Sequence, residues 1–332
     1  MILLLRIFFS ISFCQWFELD HNGITRTYYV SYPDNENSDA ASLIINMHGF
    51  GVNASQQMSY TQMDQFAHNN NMAVVYPNGL NNSWNVYTYW DNNPYDDVGF
   101  ISLMIDAIAE NFNIDLDKIY ACGMSNGGYM SYRLACDLSD KIAAFGSVTG
   151  NLMLNNHVED CQDQDRDIPI IHFHGTYDSI VNYFPPSFDG SLTVGESIEF
   201  WNEYNNFSEE LVEQISFSVE KYTYYSEISL AKFIHYKVSG GGHEWFNYNW
   251  GFNSSEELVN FFSNYRLSDF IGGDIILGDL NQDDIINIQD VILIINLILS
   301  SSFSSLADLN ADGEVDVLDV VYILNIILNT NN

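Results

Sequence analysis

The chain has 332 residues, 47% of them apolar, which is enough for one large packed domain and a smaller one. Its 44 acidic and only 10 basic side chains give a formal charge of −34. Because so negative a surface repels nucleic-acid phosphates and anionic lipids, we expect neither a nucleic-acid partner nor membrane insertion. A neutral substrate or a metal cation fits this charge better.

The N-terminus begins with the apolar run MILLLRIFFSISFC, which is typical of a short signal peptide. We therefore predict that residues 1–15 direct export and that the protein is extracellular. No later apolar run reaches the roughly 20 residues that span a bilayer. Export permits disulfides, and we predict a bond between Cys136 and Cys161, with Cys122 left as a buried free thiol.

From about residue 25 to residue 267, short apolar runs alternate with helical patterns. The runs SLIINM, KIYACG and IPIIHFHG predict strands, and the segment DDVGFISLMIDAIAENF has the apolar spacing of a helix. Strands that alternate with helices indicate an α/β fold, with a mostly parallel sheet and helices on both faces. We assign residues 16–270 to this domain, 271–277 to a linker and 278–330 to a second domain.

Ser125 stands between two glycines where a predicted strand meets a predicted helix. The segment Gly123-Met124-Ser125-Asn126-Gly127 fits the pattern G-x-S-x-G, in which the glycines permit a sharp turn that exposes the serine hydroxyl. A serine needs a nearby base to become a nucleophile, and the base needs an acid to orient it. The strand–turn–helix context therefore predicts that Ser125 is a catalytic nucleophile.

Five histidines follow Ser125, and one of them has the position of a general base. His243 alone follows a glycine cluster after the last predicted strand, in the sequence SGGGHEW. Asp178 follows the strand IPIIHFHG at the same edge of the sheet, and the order serine, acid, histidine is the one expected for this fold. We predict that Ser125, Asp178 and His243 form a catalytic triad. The alternatives are a turn-capping histidine and an aspartate that only stabilises its own turn.

Attack of a serine on a carbonyl group also needs two N–H donors that bind the oxyanion of the tetrahedral intermediate. One candidate is the backbone N–H of Asn126, directly after the nucleophile. The second is the backbone N–H of Phe50 in the motif HGFG, which follows an early strand. We predict a structural role for His48, the first residue of this motif.

Six motifs follow one another in the order typical of a known family: MHGFG, DDVGF, GMSNGGYMSYRLAC, HFHGTYDSIV, FWNEYNN and GGGHEW. Over roughly residues 23–246, the chain resembles the secreted α/β-hydrolase esterases grouped as poly(3-hydroxybutyrate) depolymerase-like and feruloyl or acetylxylan esterases. The resemblance implies a carboxylic ester hydrolase that uses Ser125, Asp178 and His243 and needs no cofactor for catalysis. Family members usually carry Thr-Trp-Pro after the histidine, where this chain has Glu244-Trp245-Phe246.

After Arg266 the chain contains eleven acidic side chains and no Lys or Arg, and it repeats itself in DLNQDDIINIQD and DLNADGEVDVLD. Side-chain oxygens fall at positions 1, 3, 5, 9 and 12 of each segment, the spacing of a loop that wraps one Ca²⁺. We predict two structural Ca²⁺ ions. Their ligands are Asp279, Asn281, Asp283, Asn287 and Asp290 in the first repeat, and Asp308, Asn310, Asp312, Asp316 and Asp319 in the second.

An apolar helix follows each predicted calcium loop, and no separate helix precedes it. This arrangement resembles a type I dockerin, a small all-α module that attaches enzymes to cohesin modules on scaffolds or cell surfaces. The resemblance places partner-reading residues at positions 10 and 11 of each loop, here Ile288-Gln289 and Val317-Leu318. We therefore expect a cohesin-type scaffold as a partner and leave its identity open.

Together these patterns predict an exported serine esterase that acts on esterified polysaccharide, with feruloyl or acetyl esters of hemicellulose as substrates. Two alternatives stay open: an extracellular depolymerase of polyhydroxybutyrate or another polyester, and a binding protein on a hydrolase scaffold. The complete triad argues against the binding protein. Several aromatic residues could line an acyl cleft or pack in the core: Trp84, Tyr87, Tyr89, Trp90 and Trp245.

Overall fold

The computed structural model describes residues 14–34, 39–88, 91–153, 161, 166–187, 190–227, 229–270, 277–280, 285–300, 304, 306–310 and 313–330. The chain divides into two compact units, Met1–Ser268 and Asp269–Asn332. Residues 1–13 of the predicted signal peptide and 271–276 of the predicted linker lie outside the described residues. Cys14 and Gln15, which we assigned to the signal peptide, begin the first strand.

Ten strands in the described part of the first unit form one sheet: β1 (Cys14–His21), β2 (Ile24–Ser31), β3 (Ala41–Met47), β4 (Met72–Pro77), β5 (Ile114–Met124), β6 (Ala144–Val148), β7 (Ile170–Gly175), β8 (Glu209–Ser216), β9 (Val219–Tyr225) and β10 (Phe233–Val238). Their order is β1-β2-β4-β3-β5-β6-β7-β10-β9-β8. The neighbours β4, β3, β5, β6, β7 and β10, taken in this order, pair in parallel. Antiparallel strands extend both edges: β2 and β1 beside β4, and β9 and β8 beside β10.

Helices whose bounds lie within the described residues of the first unit are α1 (Ala54–Thr61), α2 (Asp64–Ala67), α3 (Asp97–Asn111), α4 (Asn126–Asp137), α5 (Val194–Tyr204) and α6 (Ser254–Phe262). Those of the second are α7 (Ile288–Ser300) and α8 (Val317–Thr330). Short 3-10 turns occupy His68–Asn70, Leu80–Asn82, Tyr248–Trp250 and Leu267–Asp269. Every helix in the described part of the chain is too short or too polar to span a bilayer.

The central strands are buried on both faces because helices cover each side of the sheet. Neighbouring residues of β5 show this: Ala121 joins the apolar cluster that contains residues of α3 and α4, whereas Tyr120 stacks on Phe262 of α6 at a ring-centroid distance of 4.9 Å. Successive side chains of a strand point to opposite faces. The predicted α/β fold, with a mostly parallel sheet, is therefore confirmed.

The sequence patterns did not reveal the strands at the two edges of the sheet. At one edge β1 pairs with β2, and at the other β8 pairs with β9. The side chains of β8 are mostly exposed, and three of its residues are glutamate. An edge strand of this kind carries no apolar run, and charged residues on it prevent pairing with other chains.

The second unit is built from two helices that share one small core. Val291 and Ile294 of α7 and Ile323 of α8 are buried together with Ala307. Two short helices bury little apolar surface by themselves, so we expect this unit to need a further source of stability.

Cys136 and Cys161 form a disulfide, and Cys122 is a buried free thiol. The bond joins α4, the helix that follows Ser125, to the segment before β7, and it closes a loop with a sequence separation of 25. Both of its half-cystines are buried. The link therefore ties the nucleophile helix to the part of the chain that leads to Asp178.

We predict that the double variant Cys136→Ala/Cys161→Ala unfolds with a free energy about 3.5 kcal/mol lower than wild type, the value that chain entropy gives for a loop of this length. Urea denaturation of the oxidised proteins measures the difference. Equal stabilities, or free thiols at both positions in a non-reducing peptide map of wild type, would contradict the prediction.

Candidate active site

Ser125 occupies a sharp turn between β5 and α4. Its φ of +53° and ψ of −119° lie outside the regions that a residue with a side chain normally adopts. Such strain persists only where the surroundings hold the backbone, and it is concentrated at functional sites. Two backbone hydrogen bonds hold it here, from Ser125 N to Val148 O at 2.8 Å and from Tyr129 N to Ser125 O at 2.9 Å.

The two glycines of the motif are required by close backbone contacts. A Cβ placed on Gly123 would lie 2.7 Å from Met47 O, and one on Gly127 would lie 2.3 Å from the same atom. Real Cβ atoms essentially never approach so closely. The glycines therefore allow the turn to press against the end of β3, which leads into the loop that carries Phe50.

Asp178 and His243 come from the loops after two neighbouring parallel strands, β7 and β10. Gly175 ends β7, and a Cβ there would lie 2.2 Å from Gly241 O, so only glycine lets the two loops meet. Tyr177 N also donates to Gly241 O at 2.8 Å. As a result, His243 Nδ1 lies 2.8 Å from Asp178 Oδ2.

The Asp178 carboxylate is buried and fully engaged. Its Oδ1 accepts hydrogen bonds from Ile180 N and Val181 N, both at 2.8 Å, and its Oδ2 faces His243 and, at 3.4 Å, His174 Nε2. Burial alone would raise the pKa of Asp178, but the hydrogen bonds from His174 and His243 outweigh it and lower the pKa below its usual value. An ionised Asp178 requires His243 to carry its proton on Nδ1, which leaves Nε2 as a base.

Ser125 and His243 line one cavity of about 250 Å³. The other residues that line it are Gly49, Phe50, Val52, Gln56, Gln57, Tyr60 and Met124. The structure thus brings the three predicted triad residues together, with Ser125 and His243 at the cavity and Asp178 behind His243. This arrangement can perform nucleophilic acyl transfer.

The two predicted oxyanion donors lie beside the nucleophile. Asn126 is the first residue of α4, so its N–H is one of the unpaired donors at a helix N-terminus. Phe50 lines the same cavity as Ser125, and its side chain is 54% exposed. Both N–H groups stay predictions as donors.

The side chain of Asn126 makes structural contacts that the sequence did not reveal. Its Oδ1 accepts from Trp84 N at 2.7 Å, and its Nδ2 donates to Trp84 O at 3.2 Å. Trp84 Nε1 in turn donates to His48 O at 2.8 Å. These bonds connect the start of α4 to the loop that contains Phe50.

His48 is a buried structural residue of this connection. Gly79 N donates to its Nε2 at 3.0 Å, so Nδ1 carries the proton and donates to Gly49 O at 2.8 Å. Burial lowers the pKa of His48 to about 4 and outweighs the opposing effect of the Gly49 bond. The imidazole is therefore neutral at pH 7.

The aromatic residues that could have formed an acyl cleft mostly pack in the protein. Trp84 and Trp245 are buried. The guanidinium carbon of Arg133 lies over the ring of Tyr87, 4.3 Å from the ring centroid. Tyr89 and Trp90 lie outside the described residues. The aromatic lining of the cavity comes instead from Phe50 and Tyr60.

The loop after His243 is well anchored although it departs from the family pattern. Trp245 N donates to Tyr60 Oη at 3.0 Å, and Trp245 Nε1 donates to Ser255 Oγ at 3.0 Å. Phe246 is fully buried. These contacts replace the rigidity that a proline would provide.

The predicted calcium loops contain buried carboxylates. Asp279, Asp290, Asp308 and Asp319 are buried, although no Lys or Arg follows Arg266 in the chain. Burying several carboxylates close together is costly unless a cation balances their charge. Asn281, Asp283 and Asp312 lie outside the described residues. Carboxylate and amide oxygens are ligands that Ca²⁺ prefers, so the donor set fits this ion.

The two repeats share one hydrogen-bond pattern. Asp290 accepts from Leu280 N and from Asn287 N, at 2.8 and 2.9 Å. Asp319 accepts from Leu309 N and from Asp316 N, both at 2.8 Å. The last acidic residue of each loop therefore fixes both ends of that loop.

Comparison with known proteins matches both parts of the chain. Residues 96–207 match the family Phospholipase/Carboxylesterase, and residues 277–328 match the family Dockerin type I domain. A bifunctional acetylxylan esterase/xylanase of Neocallimastix patriciarum is 30% identical over 48% of this chain and 22% of its own length. Feruloyl esterase B of Piromyces equi is 34% identical over 55% of this chain and 34% of its own length. The chain thus spans about a third or less of these two relatives.

Two solved structures share the fold. An acetyl xylan esterase from Aspergillus awamori has a TM-score of 0.58 at 13% identity and covers 75% of this chain and 99% of its own. A CE1 ferulic acid esterase from Anaeromyces mucronatus, in complex with ferulic acid, has a TM-score of 0.52 at 16% identity and covers 76% and 90%. At such identities the likeness establishes the fold alone. The resemblances to an α/β-hydrolase esterase and to a dockerin are confirmed.

We predict that stability falls when the pH is lowered from 7 to 5, because the unfolded chain then binds protons that the folded chain excludes. The folded pKa of His48 lies near 4, below its unfolded value, so its contribution is complete above pH 6.5 and is lost as the pH falls. Over this interval His48 should account for about 2 kcal/mol.

Urea denaturation of wild type and His48→Gln at both pH values measures the effect. The variant should lose about 2 kcal/mol less than wild type between pH 7 and 5, because groups shared by both proteins cancel. An identical loss in both proteins would refute the assignment of a neutral His48.

Proposed function

We propose that this chain, an α/β-hydrolase domain followed by a dockerin type I domain, is an exported serine esterase that removes feruloyl or acetyl groups from hemicellulose. One observation carries the proposal. A strained Ser125 and an oriented His243 share a cavity, and a buried, ionised Asp178 holds the histidine. The names of the relatives supply the class of substrate.

The first half of the reaction acylates the enzyme. His243 Nε2 removes the hydroxyl proton of Ser125 while Oγ attacks the ester carbonyl carbon. The electron pair of the carbonyl bond moves to the oxygen, which the backbone N–H groups of Phe50 and Asn126 bind. The intermediate then collapses, the bond to the alcohol oxygen breaks, and this oxygen takes the proton from His243.

The second half regenerates the enzyme with water in the place of Ser125. His243 removes a proton from water, the hydroxide attacks the acyl-enzyme, and Ser125 Oγ leaves and regains its proton. The products are the free carboxylic acid and the deacylated polymer. Asp178 stays ionised and stabilises the imidazolium in both halves.

The cavity supports an acyl group with apolar character. Phe50, Val52, Tyr60 and Met124 contribute side chains beside Ser125 and His243. Sites of this kind bind the less polar part of a ligand and fix its orientation with few polar groups. The aromatic ring of a feruloyl group fits such walls better than a sugar does.

The dockerin domain supports attachment of the enzyme to a scaffold. The predicted partner-reading residues are accessible, with Ile288, Val317 and Leu318 exposed by 60%, 66% and 52%. Apolar residues exposed on a small module mark an interaction surface. We propose a cohesin-type scaffold protein as the partner and an extracellular location for the enzyme.

Ca²⁺ would neutralise the buried carboxylates of this domain. Of the described residues, Asp279, Asn287 and Asp290 would hold one ion, and Asp308, Asn310, Asp316 and Asp319 would hold a second. The ions have no part in the proposed ester hydrolysis, which needs only the residues of the first unit.

We predict that Ser125→Ala lowers kcat on methyl ferulate or acetylated xylan by about 10⁴-fold or more, because the nucleophile is lost. Asp178→Asn should keep the fold and also lower kcat sharply, since the wrong imidazole tautomer is then favoured. Ser131→Ala is the control: its hydroxyl only donates to Gly127 O within α4, so activity should persist.

The panel for these assays also contains a polyhydroxybutyrate film. Near-normal turnover by Ser125→Ala would exclude the mechanism. Activity on the film alone would favour a polyester depolymerase. A protein that binds the polymers without hydrolysing any ester would be a binding protein.

We predict that removal of Ca²⁺ unfolds the dockerin domain and leaves the esterase active. Carboxylates crowded without a cation repel one another, and an ion that binds only the folded form stabilises it. The full-length protein should lose helical circular dichroism and become sensitive to proteolysis after residue 270 in EGTA. Adding about two Ca²⁺ ions per chain should restore both.

Hydrolysis of a small soluble ester in the same EGTA buffer is the control measurement. Unchanged dichroism and proteolysis in the chelator would refute the calcium requirement. Loss of hydrolysis would refute the independence of the two units.

A further inference from the structure

We propose that Tyr132, His172 and His174 form a directional hydrogen-bond chain that ends at Asp178 and positions its carboxylate for His243. The inference rests on the proposed function, since it assigns these residues to the support of the triad. None of the three touches the cavity of Ser125, and the proposed reaction does not use them.

The hydrogen-bond chain connects α4 to β7 through buried atoms only. Tyr132 Oη lies 3.0 Å from His172 Nδ1, and His172 Nε2 lies 3.1 Å from His174 Nδ1. His174 Nε2 then lies 2.9 Å from Val181 O and 3.4 Å from Asp178 Oδ2. All three side chains are buried, so water does not compete for these contacts.

The acceptors at one end determine the direction of every proton. His174 Nε2 faces a carbonyl oxygen and an ionised carboxylate, which only accept, so Nε2 carries the proton. A neutral imidazole has one N–H, so Nδ1 of His174 accepts from Nε2 of His172. Nδ1 of His172 then accepts from the hydroxyl of Tyr132. One arrangement satisfies every contact, and each donor points towards Asp178.

His174 shares a dry cluster with His172 and His235, whose rings lie 5.3 Å apart. The direction of the hydrogen-bond chain follows from the two acceptors at its end, Val181 O and Asp178 Oδ2, which both face His174 Nε2. His235 belongs to a separate contact, with Tyr183 Oη 3.0 Å from its Nε2.

The hydrogen-bond chain ends at the turn that carries Asp178, and Val181 in this turn makes contacts through both its N–H and its carbonyl oxygen. Val181 N donates to Asp178 Oδ1, while Val181 O accepts from His174. The His174 contact adds a bond from β7 to the bonds within the turn and to those from the loop of Gly241 and His243. His174 is therefore a positioning residue, and Tyr132 and His172 keep it in the tautomer that can donate.

The test variant is Tyr132→Phe, which removes the first donor and keeps the ring. His172 then loses the bond that fixes its tautomer, and the donor to Asp178 becomes less populated. We expect kcat to fall about two- to tenfold with KM unchanged, the range that one ordinary hydrogen bond sets. The matched control is Tyr120→Phe. It also removes a buried hydrogen bond, the one from Tyr120 Oη to Tyr265 O at 2.8 Å, but this bond lies away from the hydrogen-bond chain.

Long-range ¹H–¹⁵N spectra of histidine-labelled protein read the tautomers directly and need no substrate. Wild type and Tyr120→Phe should show His172 and His174 as neutral Nε2–H forms at pH 7. Tyr132→Phe should show a mixture at His172. If Tyr132 had only a structural role, both variants would have a lower melting temperature. Tyr132→Phe would then change neither the tautomers nor kcat more than Tyr120→Phe does.

Three results would overturn the proposal: a wild-type His174 with its proton on Nδ1, a doubly protonated His174, or equal kcat values for the two tyrosine variants. A wild-type protein that hydrolyses none of the esters would refute the proposed function instead. In that case the spectra would still support or overturn the hydrogen-bond chain.

Discussion

The contact between the end of β3 and the turn around Ser125 is the constraint on which the site depends. Gly123 and Gly127 both approach Met47 O so closely that a Cβ on either would clash with it. β3 continues into the loop that carries Phe50, and α4 begins with Asn126. A larger residue at either glycine would push α4 away from this loop and separate the two predicted oxyanion donors. One backbone contact thus sets the distance between the proposed nucleophile and the proposed oxyanion site.

Hydrogen bonds between buried polar groups hold the segments around this contact. The Asn126 amide holds both backbone groups of Trp84, and Asp97 holds Asn85 N at 2.7 Å and Arg26 Nη2 at 2.6 Å. Burial of Asp97 raises its pKa despite the nearby Arg26, so the ion pair stabilises a charge that its surroundings disfavour. Loss of one partner would leave the other unsatisfied, which costs more than the bond itself contributes. Strain at Ser125 persists because its own backbone bonds, to Val148 O and from Tyr129 N, hold the turn in place.

The central part of the fold could be predicted because parallel strands are buried on both faces. Such strands appear as continuous apolar runs, as in β3 and β7, and the helices between them have their own spacing. The edge strands lack this signal. β8 is largely exposed and glutamate-rich, and β1 begins at the end of the apolar N-terminal run that we interpreted as a signal peptide. Their pairing depends on neighbours in the sheet rather than on a local pattern.

The residues of the candidate site also divide into those that the sequence predicts and those that it does not. Ser125, Asp178 and His243 each follow a strand and a glycine, so local sequence identifies them, and the sheet then brings them together. The residues that support them come from distant parts of the chain: Asn126 is 42 positions from Trp84, and Tyr132 is 40 positions from His172. Alternation in β7 predicts that His172 and His174 share a face, but not that α4 places a hydroxyl beside them. Local sequence therefore predicts the groups that we propose to react, whereas the donors that hold them become visible only when the packed elements fix where each proton lies.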